Sequence, residues 1–163
     1  MRQGTMRDLF EKWGLTGMKV NLGFWTGEFN PRDPDRAAAW ELYVELLTRV
    51  STQYLPPEHG DEKTALDSVH SLFATTRKIL KRQGSGCVQF SKVAIVVLNQ
   101  VVRPFTAEWH KRSLAGAFSD ADACKEFRKD LEDLQSKLRS YTHILAEIAD
   151  VEDLTDLERP VAP

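Results

Sequence analysis

Between residues 124 and 148 the apolar side chains Cys124, Phe127, Leu131, Leu134, Leu138, Tyr141, Leu145 and Ile148 step 3-4-3-4-3-4-3 along the chain. A strand cannot carry that pattern, because its side chains alternate every two residues. An unbroken heptad commits the segment to a helix packed left-handedly against at least one other helix. A helix over residues 119–149 would be roughly 45 Å long, whereas the helix predicted to start at residue 33 is nearer 30 Å. The long helix therefore overhangs its neighbour or lies along two stacked segments. Its seam is expected to close within the chain as a bundle interior, with an intermolecular coiled coil as the alternative.

The remaining helices follow from caps and stripes. "NPRDPDRAAAWELYVELLTRVSTQYLPP" predicts a helix with Asp33 as N-cap, Pro34 at the first helical position and Asp35 at the positive end of the dipole. Trp40, Tyr43, Leu46 or Leu47, Val50 and Tyr54 recur every three or four residues, and Pro56-Pro57 would end it. The next helix is capped by Asp61, carries the stripe Ala65, Leu66, Val69, Leu72, Phe73, Thr76, Ile79 and Leu80, and stops at Gly84. A third begins near Phe90, is apolar around most of its circumference and reaches Pro104. There the missing N–H and a clash with the Gln100 carbonyl predict a bend or break, and Arg103, just before the proline, is disfavoured in the helical region. Helix resumes through "FTAEWHKRSL" to Gly116.

Upstream, a capping box at Thr5–Asp8 and a stop at Gly14 predict a short helix. In "MKVNLGFWTGEF", Val20, Leu22 and Phe24 alternate with Asn21, Gly23 and Trp25. With no partner strand in view, this reads as an extended arm laid across helices. The expected architecture is all-α: a short helix and arm at 1–32, a four-helix up-down bundle with a kinked third helix at 33–150, and an acidic, flexible tail at 151–163 containing Pro160 and Pro163.

At 163 residues the chain suits one domain with a core of its own. A net charge of −2 supplies no global attraction to nucleic acid or anionic lipid. The apolar run 93–102 spans about half a bilayer and contains Asn99 and Gln100, so it is expected inside the protein. No membrane partner is expected. The charged start lacks a secretory core, and Cys87 and Cys124 form no CxxC, which together predict a cytoplasmic location. Cys124 reads as a core residue and Cys87 as a free thiol in a glycine-flanked loop.

No catalytic set, metal site or cofactor is predicted. Asp67 to His70, "DSVH", approaches the Glu-x-x-His pattern of carboxylate-bridged metals, but it has no second copy. HExxH and G-x-S-x-G are missing, and "RQGSGC" lacks the lysine of a phosphate loop. His143 lies off the seam and is expected to be exposed. Arg77, Lys78, Lys81 and Arg82 suit a helix C-terminus and could also contact phosphates, although nucleic acid is not the expected partner. The candidate interaction patch is Arg103, Phe105, Trp109, His110 and Arg112, with Phe24 and Trp25 of the arm, because arginines and aromatics carry binding energy at interfaces. On the competing reading Trp109 plugs the bundle end and Arg103 pairs with Glu41 or Glu45.

"ALDSVHSLFATTRKIL" followed by "VAIVVLNQVVRPFTAEWH" resembles a group of uncharacterised bacterial helical proteins that share an Arg-Pro-Phe-x3-Trp-His signature, over about residues 40–148. The resemblance implies membership of multi-gene bacterial systems, anti-phage defence among them. It places weight on Arg103, Pro104, Phe105, Trp109 and His110 and implies no catalytic residues. The expected function is a non-enzymatic interaction or regulatory module in a bacterial multi-protein assembly, its partner another protein or a second copy. Two alternatives stand beside it: a small-ligand or catalytic bundle using Arg103 and His110, and a nucleic-acid-binding subunit using the basic end at 77–82.

Overall fold

The structure, a computed structural model, describes residues 4–49 and 51–157; Val50 and the prolines expected at the chain end lie outside the described residues. The fold is all-α. Helices α1 (Met6–Lys12), α2 (Leu22–Thr26), α3 (Asp33–Leu47), α4 (Glu62–Gln83), α5 (Val88–Val97), α6 (Arg103–Leu114) and α7 (Ala121–Ala149) follow in order. A lone backbone bridge between Thr5 and Glu28 is the nearest approach to a sheet among the described residues. None of the described helices is long and apolar enough to cross a membrane.

The seam of α7 is buried from Phe127 to Ile148. It packs mainly along α3, with α4, α6 and the turn before α6 covering the rest, so the 29-residue helix lies against stacked segments of its own chain. Cys124, at the open end of the seam, is only half-buried, while Cys87 is fully buried and donates to the Gly84 carbonyl at 3.1 Å. The two cysteines thus exchange their expected environments. Beside Cys87, Gly86 lies close to the Pro34 ring: a Cβ there would be 3.3 Å from Pro34 Cγ.

Three boundaries differ from expectation, each because a side chain captured the backbone. Helix α3 begins at Asp33, with Arg32 as its N-cap, because Asp35 accepts the Arg32 N–H at 2.8 Å. The same helix ends at Leu47 instead of continuing to Tyr54. The Thr52 hydroxyl bonds the Leu46 carbonyl, and the Gln53 amide donates to the Leu47 carbonyl at 3.2 Å, satisfying the groups a helix end exposes. The loop is then fastened to α7: Gln135 donates to the Gln53 carbonyl (2.6 Å), Arg139 to that of Thr52 (3.1 Å) and Arg128 to that of Pro56 (3.0 Å). The expected arm forms the one-turn helix α2, because Asn21 accepts the Phe24 N–H at 2.8 Å and caps it. Local capping outweighed the alternation of Val20, Leu22 and Phe24.

Proline 104 neither breaks nor sharply ends the helical path. A π-turn at Leu98–Val102 absorbs it, and Arg103 itself is helical (φ −59°, ψ −44°). Widening the turn by one residue moves the carbonyls away from the proline ring, so the clash expected at Gln100 is relieved. The two polar residues inside the apolar run have separate tasks there. Gln100 clamps the backbone of Lys19, accepting its N–H at 2.7 Å and donating to its carbonyl at 2.8 Å. Asn99 accepts both Nε and a terminal nitrogen of Arg103, at 3.1 and 3.0 Å.

Helix α4 starts as expected at Asp61, whose carboxylate accepts from the backbone N–H of Lys63 and Thr64 (3.2 and 3.0 Å) and from the Thr64 hydroxyl. Those hydrogen bonds, Thr64's foremost, hold the Asp61 pKa below its ordinary 3.8. For a depressed carboxyl group the stabilisation is present above the unfolded value and lost as pH falls through the folded one. Asp61→Ala is therefore expected to cost about 1 kcal/mol at neutral pH, and the gap from the parent should close below about pH 4. Urea unfolding of both proteins from neutral to acid pH checks it; a gap that does not narrow on acidification contradicts the cap's role.

Candidate functional site

The post-proline segment came first from the sequence, and most of it is turned inward. Trp109 is 1% exposed and sits among Phe105, Phe118 and Phe127, edge-on to Phe127 at 5.1 Å. Its indole Nε1 donates to Asp130 at 3.0 Å. Arg112 stacks over the indole at 4.0 Å and forks onto Glu126 (2.9 and 2.7 Å). Arg103 lies 4.8 Å over Phe73 and bonds Asn99, not Glu41 or Glu45. Glu41 pairs with Arg82, and Glu45 pairs with Arg49. His110 faces His70 across α4 and α6. Phe24 and Trp25 lie elsewhere, half-buried and edge-on to Phe10 at the α1 end. Among the basic residues, Arg77, Lys78, Lys81 and Arg82 line a shallow, open surface on α4.

A better-formed cleft of about 560 Å³ lies where α1 meets the end of α7, lined by Lys12, Trp13, Phe29, Pro31, Arg36 and His143 together with Glu147, Ile148, Asp150, Val151 and Asp153. Its construction begins with the left-handed Asp150 (φ 58°), which ends α7 and sends the chain back along it. Asp153 thereby reaches His143 Nδ1 at 2.5 Å, and Asp156 comes within 3.7 Å of Nε2. Tyr43 of α3 pins the returning segment by accepting the Leu154 N–H at 2.6 Å. His143 and Glu147 sit one helical turn apart on α7 and both receive Trp13. The indole stacks on the imidazole at 4.2 Å with planes 5° apart, and its Nε1 donates to Glu147 at 2.9 Å. Lys12 donates to the same carboxylate at 2.9 Å. His143 is accordingly 15% exposed, a correction to its expected place on the surface.

The cleft carries both signs of charge on an apolar floor. Burial pushes the Asp153 carboxyl up, but hydrogen bonds from Thr155 and His143 outweigh it and hold the group below the usual range. Arg36 is loosely tied: its closest carboxylate, Asp150, is 4.0 Å away, and its Nε has no hydrogen-bond partner. A cavity of this size with aromatic walls and a few directed polar groups is the ordinary form of a binding site. No sequence motif joined Trp13 to His143, because the pairing spans 130 residues and depends on α1 docking beside the last turns of α7. The only advance signal was an aromatic at a helix end, next to Gly14.

The described residues form an all-helical fold with an amphipathic cleft between α1 and the end of α7. No family model, curated protein or solved structure matches the chain.

Proposed function

We propose that the protein is a non-enzymatic interaction module that grips a segment of a partner protein in the α1–α7 cleft. The observation that carries this reading is the juxtaposition of Trp13, stacked on His143, with Arg36, whose guanidinium is held only by a 4.0 Å ion pair to Asp150, in one groove. Tryptophan and arginine in a partly desolvated pocket are the side chains that dominate interface energies. Burial pushes the Cys124 thiol up, the wrong direction for a nucleophile at that position. We read α3, α4, the continuous α5–α6 path and α7 as a four-helix up-down scaffold that holds the groove rigid. Action within a multi-protein assembly is what the sequence resemblance implies, and a cytoplasmic location is what the charged start and the absence of a CxxC imply.

The test is affinity capture from the source cell with the parent chain and with Trp13→Ala, comparing recovered partners by intact-complex mass. Losing the indole is expected to weaken capture at least tenfold, about 1.4 kcal/mol, and also to lower the melting temperature because Trp13 docks α1 on α7; capture is therefore compared at a temperature where both proteins are folded. Equal recovery by both proteins contradicts the cleft as the docking site. A second reading has one observation behind it: Arg77, Lys78 and Lys81 are exposed and have no ion-pair partner among the described residues. Binding of short duplex or single-stranded nucleic acid that weakens steeply with salt would favour that basic surface instead.

A further inference from the structure

We propose that His70 and His110 form a two-histidine site for a first-row transition ion of borderline softness, of the Cu²⁺, Ni²⁺ or Zn²⁺ class, bridging α4 and α6. The two rings face one another with centroids 4.7 Å apart and planes at 49°. Two imidazoles sharing one ion at a metal–nitrogen distance of about 2.0–2.1 Å have centroids about 5 Å apart, so a small rotation of the exposed His70 completes the geometry. The second observation is an orphan. His110 Nε2 is closed off from solvent and has no hydrogen-bond partner. A buried polar atom left in that state calls for a water or an ion.

The surroundings narrow the ion. Imidazole nitrogen suits copper, nickel and zinc, whereas magnesium and calcium require a cage of oxygens. Among the described residues no three or more His, Cys, Asp or Glu side chains converge to hold a metal. The protein's whole share is therefore two nitrogens, with water in the remaining positions, which makes the ion exchangeable. Asp67, one turn before His70 on α4, is ion-paired with Lys63 at 2.5 Å, so these two charges offset one another beside the pair and the imidazoles alone provide the attraction for the ion. The site thus joins the "DSVH" and "RPFTAEWH" segments, which sequence spacing alone leaves unrelated.

The experiment uses the full chain without a histidine tag. Cu²⁺, Ni²⁺, Zn²⁺ and Mg²⁺ are titrated calorimetrically, and the Cu²⁺ form is examined by electron paramagnetic resonance. One Cu²⁺ per chain is expected, with hyperfine coupling from two imidazole nitrogens and no Mg²⁺ uptake. His70→Ala and His110→Ala should each lower affinity at least tenfold, and His59→Ala should leave it unchanged. His70 is exposed, so His70→Ala should keep the metal-free melting temperature of the parent, and its lost affinity then reports ligation and not unfolding. Absence of uptake by the parent, or undiminished binding in His70→Ala, overturns the site.

Discussion

Asp35→Ala is expected to destabilise the protein by about 3 kcal/mol, or roughly 10 °C in melting temperature for a chain of this size. The side chain is 1% exposed and each carboxylate oxygen has a separate task. One accepts the Arg32 N–H at 2.8 Å and fixes the start of α3. The other accepts the Phe90 N–H at 2.9 Å, within the first turn of α5. Helix α5 has no side-chain cap of its own, so a residue 55 positions earlier supplies it. Truncation strands two backbone donors and removes the tie between helices, and an unsatisfied buried donor costs about 1–3 kcal/mol. Asp35→Asn keeps one acceptor oxygen and should fall between parent and alanine. Urea unfolding with an unchanged slope checks the order; a loss under about 1 kcal/mol for alanine contradicts the double cap.

Trp109→Ala should cost more, about 3–5 kcal/mol. The cavity opens among Phe105, Phe118 and Phe127, at the point where α6 crosses α7, and the neighbours cannot collapse into it without moving a helix. Asp130 loses its donor and Arg112 its stacking surface at the same time. Trp109→Phe retains most of the packing and loses the Asp130 bond, so it should cost much less than alanine. Arg103→Ala, by contrast, removes an exposed side chain bonded to Asn99 and should cost under about 1 kcal/mol. Thermal unfolding of the three variants separates these expectations. If Trp109→Ala melts like Arg103→Ala, the aromatic cluster is not a keystone of the fold.

The contrast between those residues marks what was legible in the sequence. Period and composition announced the α7 seam, the α4 stripe and the caps at Thr5 and Asp61, because these depend on neighbours within one or two turns. The early end of α3 was hidden. Thr52 and Gln53 act on carbonyls six residues back, and the bonds that hold their loop come from Gln135 and Arg139 in a distant helix. The signature segment 103–112 stood out as a concentration of interface residue types, yet such residues serve equally well inside a core, and their direction is set by α4 and α7. The cleft was invisible for the same reason. Trp13, Arg36, His143 and Asp153 lie in four separate stretches, and only the turn at Asp150 and the docking of α1 bring them together.

The cleft's role is tested most directly by hydrogen exchange on the full chain, alone and in the complex captured from its source cell. Bound partner should slow exchange at residues 12–15, 29–36 and 143–153 and leave the exposed half of α4 as it was. Protection confined to 77–82 or 103–112, with the α1–α7 groove unchanged, would contradict it.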